Sequence, residues 1–487
     1  MIASLPLLCL PLLKPMKQSD IHKKLLENFP FEPTADQGEL INRMSEFLFD
    51  NSERKVFVLK GYAGTGKTSF IKTLVKTIPA CGFTFSLLAP TGRAAKVITD
   101  YTSVSANTIH RSIYEITPAK GGAIKVKLSN NKEERKVFIV DEASMISSGD
   151  DKSLLKGRNL LNDLFNYVFE TKGCCLIFIG DTAQLPPVGE MKSIALDENY
   201  LEYNYRAKVF VVELKEVVRQ AQNSGILMNA TSLRILIGKS ASEPVLKSEG
   251  FKDVEQLFND SLKDNLEKHY SGKKSSETLI VCRSNKQANR YNNFIRSSLL
   301  GFEDVINSGD RLMVVKNNYY WLEKDSSTGF IANGDVIRIK KVLDIEKKFG
   351  FNFATVNIEF TDYPGEGELE VKLLLDTINS ESPSLNQVDF KKLFDEVYNS
   401  FNKKIKASAR LSSTYTDPYF NALQVKFSYA VTCHKAQGGQ WPTVFVDAGY
   451  MNEAMYNTEY LRWLYTAVTR ATSRLLFVNF DEKYFKK

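Results

Sequence analysis

The chain has 487 residues, 43% of them hydrophobic and 25% charged, and carries a formal net charge of +7. That length exceeds one ordinary core and gives a prior of about three domains, while the composition excludes a disordered or collagen-like chain. The basic balance leans towards an anionic partner such as nucleic acid without requiring one. Cysteines at 81, 174, 175, 282 and 433, with Cys9 in the leading residues, show no CxxC spacing. A reduced, cytoplasmic protein without structural zinc is therefore expected.

In chain order, MIASLPLLCLPLLKP comes first and is apolar for about a dozen positions, too short to span a bilayer. No positive charge precedes it, no small-x-small cleavage site follows, and prolines interrupt it. Met16 opens the amphipathic KQSDIHKKLLENF, so residues 1–15 read as an upstream start or a disordered tail rather than a secretion signal. No other run is apolar enough for a membrane, and no membrane partner is expected.

KVFVLK (55–60) reads as a buried strand, followed by a glycine-rich turn and a helix over about 67–78. The same strand-then-loaded-loop pattern recurs at FSLLAPTGRAAKVI (85–98), KVFIVDEASMI (136–146) and CCLIFIGDTAQLPP (174–187). Short apolar strands alternating with helices predict a parallel sheet covered on both faces, with ligand contacts at the C-terminal strand ends. AIKVKLSNNKEERKVFIV alternates and turns at Ser129-Asn130-Asn131, which predicts an inserted hairpin over 115–136. A second α/β unit starts at ETLIVCRSNKQANRYNNFIRSSLL (277–300). Residues 311–371 read as a small β-domain, and Phe390, Leu393, Phe394, Val397, Phe401 and Ile405 keep the spacing of one amphipathic helix. The α/β pattern resumes at about 426, so FSYAVT is expected to be a strand of the second α/β domain.

The loops carry the chemistry. GYAGTGKT (61–68) matches GxxxxGK[ST], whose glycines let backbone N–H groups curl around phosphates at a helix N-terminus. Gly61, Ala63, Gly64, Thr65, Gly66, Lys67, Thr68 and Ser69 are the candidate nucleotide-binding residues, with Lys67 on the β- and γ-phosphates and Thr68 on Mg²⁺. A chance glycine-rich turn is the alternative, opposed by the strand before and the helix after. In VFIVDEASM, Asp141 fits a Mg²⁺ ligand and Glu142 a base for the attacking water. An isolated DE pair would be a solvated strand end. Gln184, in GDTAQLPPVG, fits a residue that orients the water or senses the γ-phosphate. Arg219 in LKEVVRQ and Arg470 in YTAVTRAT can each stabilise a transferring phosphoryl group, although either alone reads sooner as a surface arginine.

The ordered set GYAGTGKT, LLAPTGRAA, TIHRSIY, VDEASM, GDTAQLPPVG, LKEVVRQ, VTCHKAQGGQW and YTAVTRA resembles the superfamily 1 DNA helicases, nearest the RecD-like and Dda-like branch that moves 5′ to 3′. The resemblance covers roughly residues 31–487. It implies an α/β fold of two RecA-like parallel-sheet domains, with a β-hairpin insertion in the first and an SH3-like β-rich insertion in the second. The expected division is a tail and leading helix (1–30), domain 1 (31–205), domain 2 in two parts (206–310 and 426–487) and the insertion with a helical arm (311–425). ATP and Mg²⁺ are the implied cofactors, bound between the two domains, with Arg219 and Arg470 reaching across as fingers and Gln37 reading adenine. Gln437 and Gly438 are implied at the nucleotide. Thr91, Gly92, Arg93, Thr108, His110, Thr432, His434 and Lys435 are implied on DNA phosphates, which predicts little sequence preference and strong salt dependence.

The implied activity is ATP-dependent unwinding of DNA by a monomer acting on single strands and single-strand/duplex junctions, with other replication or repair proteins as further partners. An RNA or RNA–DNA hybrid helicase, and a nucleic-acid-binding scaffold switched by ATP, are the alternatives. The hairpin sits where this family splits the duplex. Tyr319, Tyr320 and Trp321 fit either base stacking or packing. One departure stands out: where relatives carry an acidic residue near the ribose, this chain reads Gly439, Gln440 and Trp441.

Overall fold

The computed structural model describes residues 16–118, 124–149, 158–218, 223–239, 243–322, 330–361, 365, 367–452 and 455–485. Residues 1–15 and Arg219 lie outside that set. The uniformly apolar runs form a six-stranded parallel sheet from β1 (Lys55–Gly61), β2 (Thr84–Ala89), β3 (Ala106–Thr108), β6 (Lys136–Val140), β7 (Cys175–Gly180) and β8 (Lys208–Leu214). Its order is β3-β2-β6-β7-β1-β8. Strands apolar on both sides need cover on both faces. On one face lie the helices Ala35–Phe49, Lys67–Ala80 and Gly92–Thr102, burying Leu40, Met44, Phe47, Phe70 and Leu74. On the other, the helix Leu160–Val168 buries Leu161, Leu164 and Phe165. Each such side chain contributes roughly 1.5–3 kcal/mol by leaving water.

Two expectations for this half change. The hairpin is β4 (Tyr114–Pro118) against β5 (Ile124–Leu128), antiparallel from Tyr114↔Leu128 to Pro118↔Ile124, so its tip falls in 119–123, outside the described residues. The polar stretch Ser129–Asn131 is instead the joint back into the core. Asn131 is 5% exposed, its backbone N–H donates to Glu170 Oε2 at 2.7 Å, and its carbonyl accepts from Thr171 Oγ1 at 2.7 Å. A polar tripeptide reads as a turn from sequence, but here tertiary partners satisfy its groups. The other change is the boundary at 205/206. β8 pairs with β1 in register Lys55↔Lys208, and Phe210 packs edge-on to Phe47 at 5.5 Å. The first sheet therefore extends to Leu214, because the alternating KVFVVEL suits an edge strand.

The second sheet is also parallel, in the order β16-β10-β17-β18-β9, from β9 (Val254–Leu257), β10 (Thr278–Cys282), β16 (Ala430–Thr432), β17 (Trp441–Asp447) and β18 (Ala471–Val478). Between β10 and β16 the chain forms a closed five-stranded barrel of β11 (Arg311–Val314), β12 (Val336–Lys348), β13 (Phe351–Phe360), β14 (Glu368–Leu374) and β15 (Leu423–Phe427). The two parallel sheets and the inserted barrel are the expected fold class.

FSYAVT is not one strand. Phe427 closes the barrel, Ser428 and Tyr429 cross over, and only Ala430–Thr432 enters the second sheet. The Tyr429 hydroxyl donates to Asp310 Oδ1 at 3.2 Å and accepts from the Arg311 N–H at 3.2 Å, fixing that crossover. The single helix expected through Ile405 is two, Gln387–Ser400 and Ala407–Tyr415, because Phe401 turns to an extended φ of −77° and ψ of 145°. Phe394, Tyr415 and Phe420 hold the pair with ring centroids 5.7–5.8 Å apart. Tyr319 lies 4.9 Å from Phe330, and Trp321 Nε1 donates to Asn421 O at 2.8 Å, so both serve packing. Among the described residues no helix is long and apolar enough to cross a membrane.

Candidate active site and nucleic-acid interface

The loop after β1 wraps onto the N-terminus of the helix Lys67–Ala80. Gly66 stands at that N-terminus with φ +93°, and a Cβ there would lie 2.6 Å from Gln37 Nε2. Only glycine tolerates both the left-handed backbone and the approach. Lys67 Nζ donates to Gly61 O at 2.6 Å and Tyr62 O at 2.9 Å, which curls the loop inward. Thr68 and Ser69 follow in the first helical turn, where backbone N–H groups have no intrahelical acceptor. The concave row of N–H donors, the lysine and the helix dipole suit a polyphosphate. Gln37, 5% exposed, donates through Nε2 to Thr65 O at 3.1 Å and accepts the Thr34 N–H on Oε1 at 3.1 Å. Its amide thus supports the phosphate loop, an arrangement the sequence reading did not include.

Asp141 and Glu142 follow β6. The Asp141 carboxyl is pushed well above the ordinary carboxylate range, first by burial and then by the Glu142 charge, against the pull of Lys67. Glu142 itself is left-handed, with φ 51° and ψ 34°. That conformation costs a side-chain-bearing residue roughly 1–2 kcal/mol, so the surrounding structure must hold it. After β7, Gln184 is 6% exposed, and its Oε1 has no hydrogen-bond partner among the described residues. Ser144 Oγ is also buried without one. Both face a cavity of about 290 Å³ that Asp181 and Arg462 share.

The second sheet domain closes on these loops through side chains the sequence reading passed over. The Tyr465 hydroxyl accepts from the Ala63 N–H at 2.9 Å and donates to Asp181 Oδ2 at 2.6 Å. Thr466 Oγ1 accepts the Leu185 N–H at 2.9 Å, and Arg462 donates to Thr182 O and Gln184 O. Residues 462, 465 and 466 share one face of the helix Thr458–Val468, a 3- and 4-residue spacing visible in RWLYTAVTR once a partner is known. Gln437 Nε2 donates to Leu185 O at 2.8 Å from the same side. Arg470 is 3% exposed. Its guanidinium donates to Thr466 O, to Gly439 O at 3.1 Å and to Thr469 Oγ1, so it braces the 437–441 loop. Arg219 lies outside the described residues. The chain just before it is anchored on the first domain, with the Val218 N–H donating to Gly64 O at 3.0 Å.

The paired glycines have a specific neighbour. Gly438 has φ +73°, and a Cβ there would lie 2.8 Å from Ala94 Cβ and 3.3 Å from Thr91 Oγ1. A Cβ on Gly439 would lie 2.3 Å from the Trp441 ring and 3.2 Å from Arg93 Cγ. The 437–441 loop therefore sits against the N-terminus of the helix Gly92–Thr102, in the other domain.

Of the candidate nucleic-acid residues, Thr91 and Thr108 cap helices at the ends of adjacent strands β2 and β3, accepting from Ala94 N and Arg111 N at 3.2 Å each. His110 follows directly, 5.9 Å from the Tyr114 ring, and Gly92 is buried behind Thr91. Thr432 ends β16, and His434, beyond the buried Cys433, is exposed. Lys435 differs. Its Nζ is buried without a hydrogen-bond partner among the described residues, and burial together with nearby Lys426 pushes it down to about 7.

A family model described as an AAA domain matches residues 34–250, and one described as a UvrD-like helicase C-terminal domain matches residues 427–478. An uncharacterised protein, R530 of Acanthamoeba polyphaga mimivirus, is 23% identical over 90% of this chain and 98% of its own length. The ATP-dependent DNA helicase dda of Enterobacteria phage T4 is 26% identical over 86% of this chain and 93% of its own. Among solved structures, a Pif1 helicase from Bacteroides in complex with ADP-AlF3 and ssDNA covers 94% of this chain and 95% of its own, at 15% identity and a TM-score of 0.47. The first model spans the sheet that carries the phosphate loop, the second spans β16 to β18, and the ordered motifs run through both, which together with these relatives supports a superfamily 1 helicase of the RecD- and Dda-like kind.

Proposed function

We propose that this protein is an ATP-driven DNA helicase that moves 5′ to 3′ along single-stranded DNA and separates the duplex ahead of it. The observation that carries the reading is the contact of the phosphate loop and the Asp181–Leu185 loop of the first sheet with Gln437, Arg462 and Tyr465 of the second, with the Asp141 carboxyl within electrostatic reach of Lys67. In this reading Lys67 and the N–H groups of Gly61, Ala63, Gly64, Thr65, Gly66, Thr68 and Ser69 bind the phosphates. Thr68 and Asp141 would hold Mg²⁺, whose charge relieves the Asp141–Glu142 repulsion and neutralises phosphate oxygens. Glu142 takes the proton of the attacking water, and Gln184 orients that water. Arg219 and Arg470 stabilise the phosphoryl charge, which requires Arg470 to leave Gly439 O and Thr466 O.

A phosphate oxygen that claims the Ala63 N–H releases the Tyr465 hydroxyl, so nucleotide entry alters a bond between the domains. Gln437 and Gly438 carry that change to the loop beside Thr91, Gly92 and Arg93. Those residues, with Thr108, His110, Thr432, His434 and Lys435, grip the DNA backbone.

The test is hydrolysis and unwinding with matched 5′- and 3′-tailed duplexes. Single-stranded DNA is expected to stimulate hydrolysis and the 5′ tail to support unwinding. Lys67→Ala is expected to lower hydrolysis at least about 10³-fold while DNA binding survives, because it removes a charge used in the transition state. Preference for the 3′ tail refutes the direction, and stimulation by RNA alone refutes the substrate.

A further inference from the structure

Trp441 is left unexplained by that reading, and it stands beside the position where an acidic residue was expected. It opens β17 and is 5% exposed. The guanidinium carbon of Arg93, from the first domain, lies 4.7 Å from its ring centroid, within the range of a cation–π contact. Arg93 faces a cleft of about 490 Å³ that it shares with Lys96, Arg311, Arg338 and Trp441. Glu359 and Glu368 line the same cleft and partly balance its cations, and the electron-rich face of Trp441 adds a favourable seat for the Arg93 guanidinium.

The other side of Trp441 is tied to the nucleotide cleft. The Trp441 backbone N–H donates to Arg470 O at 2.9 Å, and the Arg470 guanidinium donates to Gly439 O at 3.1 Å. Gln437, at the start of the same loop, holds Leu185 O. Arg93 follows Thr91 and Gly92 in the first turn of its helix, so a phosphate drawn to that turn acts on the cation that rests on Trp441.

We infer that Arg93 and Trp441 form a latch between the domains, a positioning pair through which DNA on the Thr91–Arg93 turn sets the 437–441 loop and Arg470. The inference rests on the helicase reading above. The glycines at 438 and 439 bring the two chains close enough for the ring and the guanidinium to meet.

A double-mutant cycle tests it, with hydrolysis measured at saturating single-stranded oligonucleotide so that altered affinity drops out. Arg93→Gln and Trp441→Leu are each expected to lower DNA-stimulated turnover about five- to twentyfold, with the double variant no slower than the slower single one. Turnover without DNA in Trp441→Leu is expected to stay within about twofold of wild type, which general damage to the fold would not give. Arg93→Lys and Trp441→Phe keep a cation and a ring and are expected to retain most of the stimulation. If the two losses multiply, or if Arg93→Gln is fully stimulated, the latch is wrong. Full stimulation of Arg93→Gln refutes the latch even if Trp441→Leu does not fold. Wild-type protein with no DNA stimulation overturns the helicase reading and the latch with it, whereas normal stimulation with multiplying losses overturns the latch alone.

Discussion

Replacing Gly438 by alanine would place one methyl group at the junction of the two domains. The left-handed φ of +73° costs alanine roughly 1–2 kcal/mol. The new Cβ would also lie 2.8 Å from Ala94 Cβ, where carbon atoms settle at about 3.5–4.0 Å. One chain must therefore retreat by roughly 1 Å, and overpacking of this kind costs about 1–3 kcal/mol. The sum is about 2–5 kcal/mol, carried by the contact between the 437–441 loop and the turn at Thr91. Urea unfolding is expected to show a lower midpoint, and DNA-stimulated hydrolysis is expected to fall more than hydrolysis without DNA.

The decisive variant is Gly438→Ala combined with Ala94→Gly. It removes the clash and leaves the backbone cost, while glycine in the helix adds about 1 kcal/mol. DNA stimulation is expected to recover substantially, although stability recovers by at most about 2 kcal/mol after that helix cost. If the double variant couples DNA to hydrolysis no better than Gly438→Ala alone, the 2.8 Å approach is not what limits it, and the reasoning from this geometry fails.

Two further predictions rest on buried polar atoms that have no hydrogen-bond partner among the described residues. Gln184→Met removes an unpaired Oε1, so stability is expected to hold or rise by about 1 kcal/mol while hydrolysis slows at least about tenfold; a large loss of stability would show that the amide is satisfied. Lys435→Met removes an ammonium whose burial is costly and is expected to stabilise the protein by roughly 1–3 kcal/mol near neutral pH, while weakening single-strand binding and lowering its salt slope by about one. The sign follows from the lowered value of about 7 against 10.5 unfolded. Below pH 7 both states hold the proton and the cost is complete. Between pH 7 and 10.5 the native lysine is neutral while the unfolded one is charged, so wild-type stability rises and the advantage of Lys435→Met shrinks. Denaturation midpoints at pH 6.5 and 9.5 check it, and an advantage that grows with pH would refute the assignment.

The fold class was legible, and the candidate site residues could be nominated, because both depend on local rules. Apolar strand runs that end in GYAGTGKT, VDEASM and GDTAQLPP announce a parallel sheet with phosphate chemistry at its C-terminal edge, since backbone N–H groups and strand-end carboxylates need no distant partner to be recognised. The barrel announced itself through β-branched density. Where sequence reading failed, distant partners decided. Asn131 reads as a turn residue, yet its groups are taken up by Glu170 and Thr171. KVFVVEL could belong to either sheet, and its register with β1 settles which.

FSYAVTCHKAQGGQW gives the clearest division. Its residues alone suggested a strand followed by a glycine-rich loop, and the family resemblance implied phosphate contacts there. The tertiary structure divided FSYAVT between the barrel and the second sheet. It also put Ala94, Thr91 and Arg93, more than 340 positions upstream, against Gly438, Gly439 and Trp441. Periodicity and motif spacing encode what a segment prefers by itself. A contact between residues so far apart depends on how two separately folded sheets pack, and no local pattern in either segment records the other.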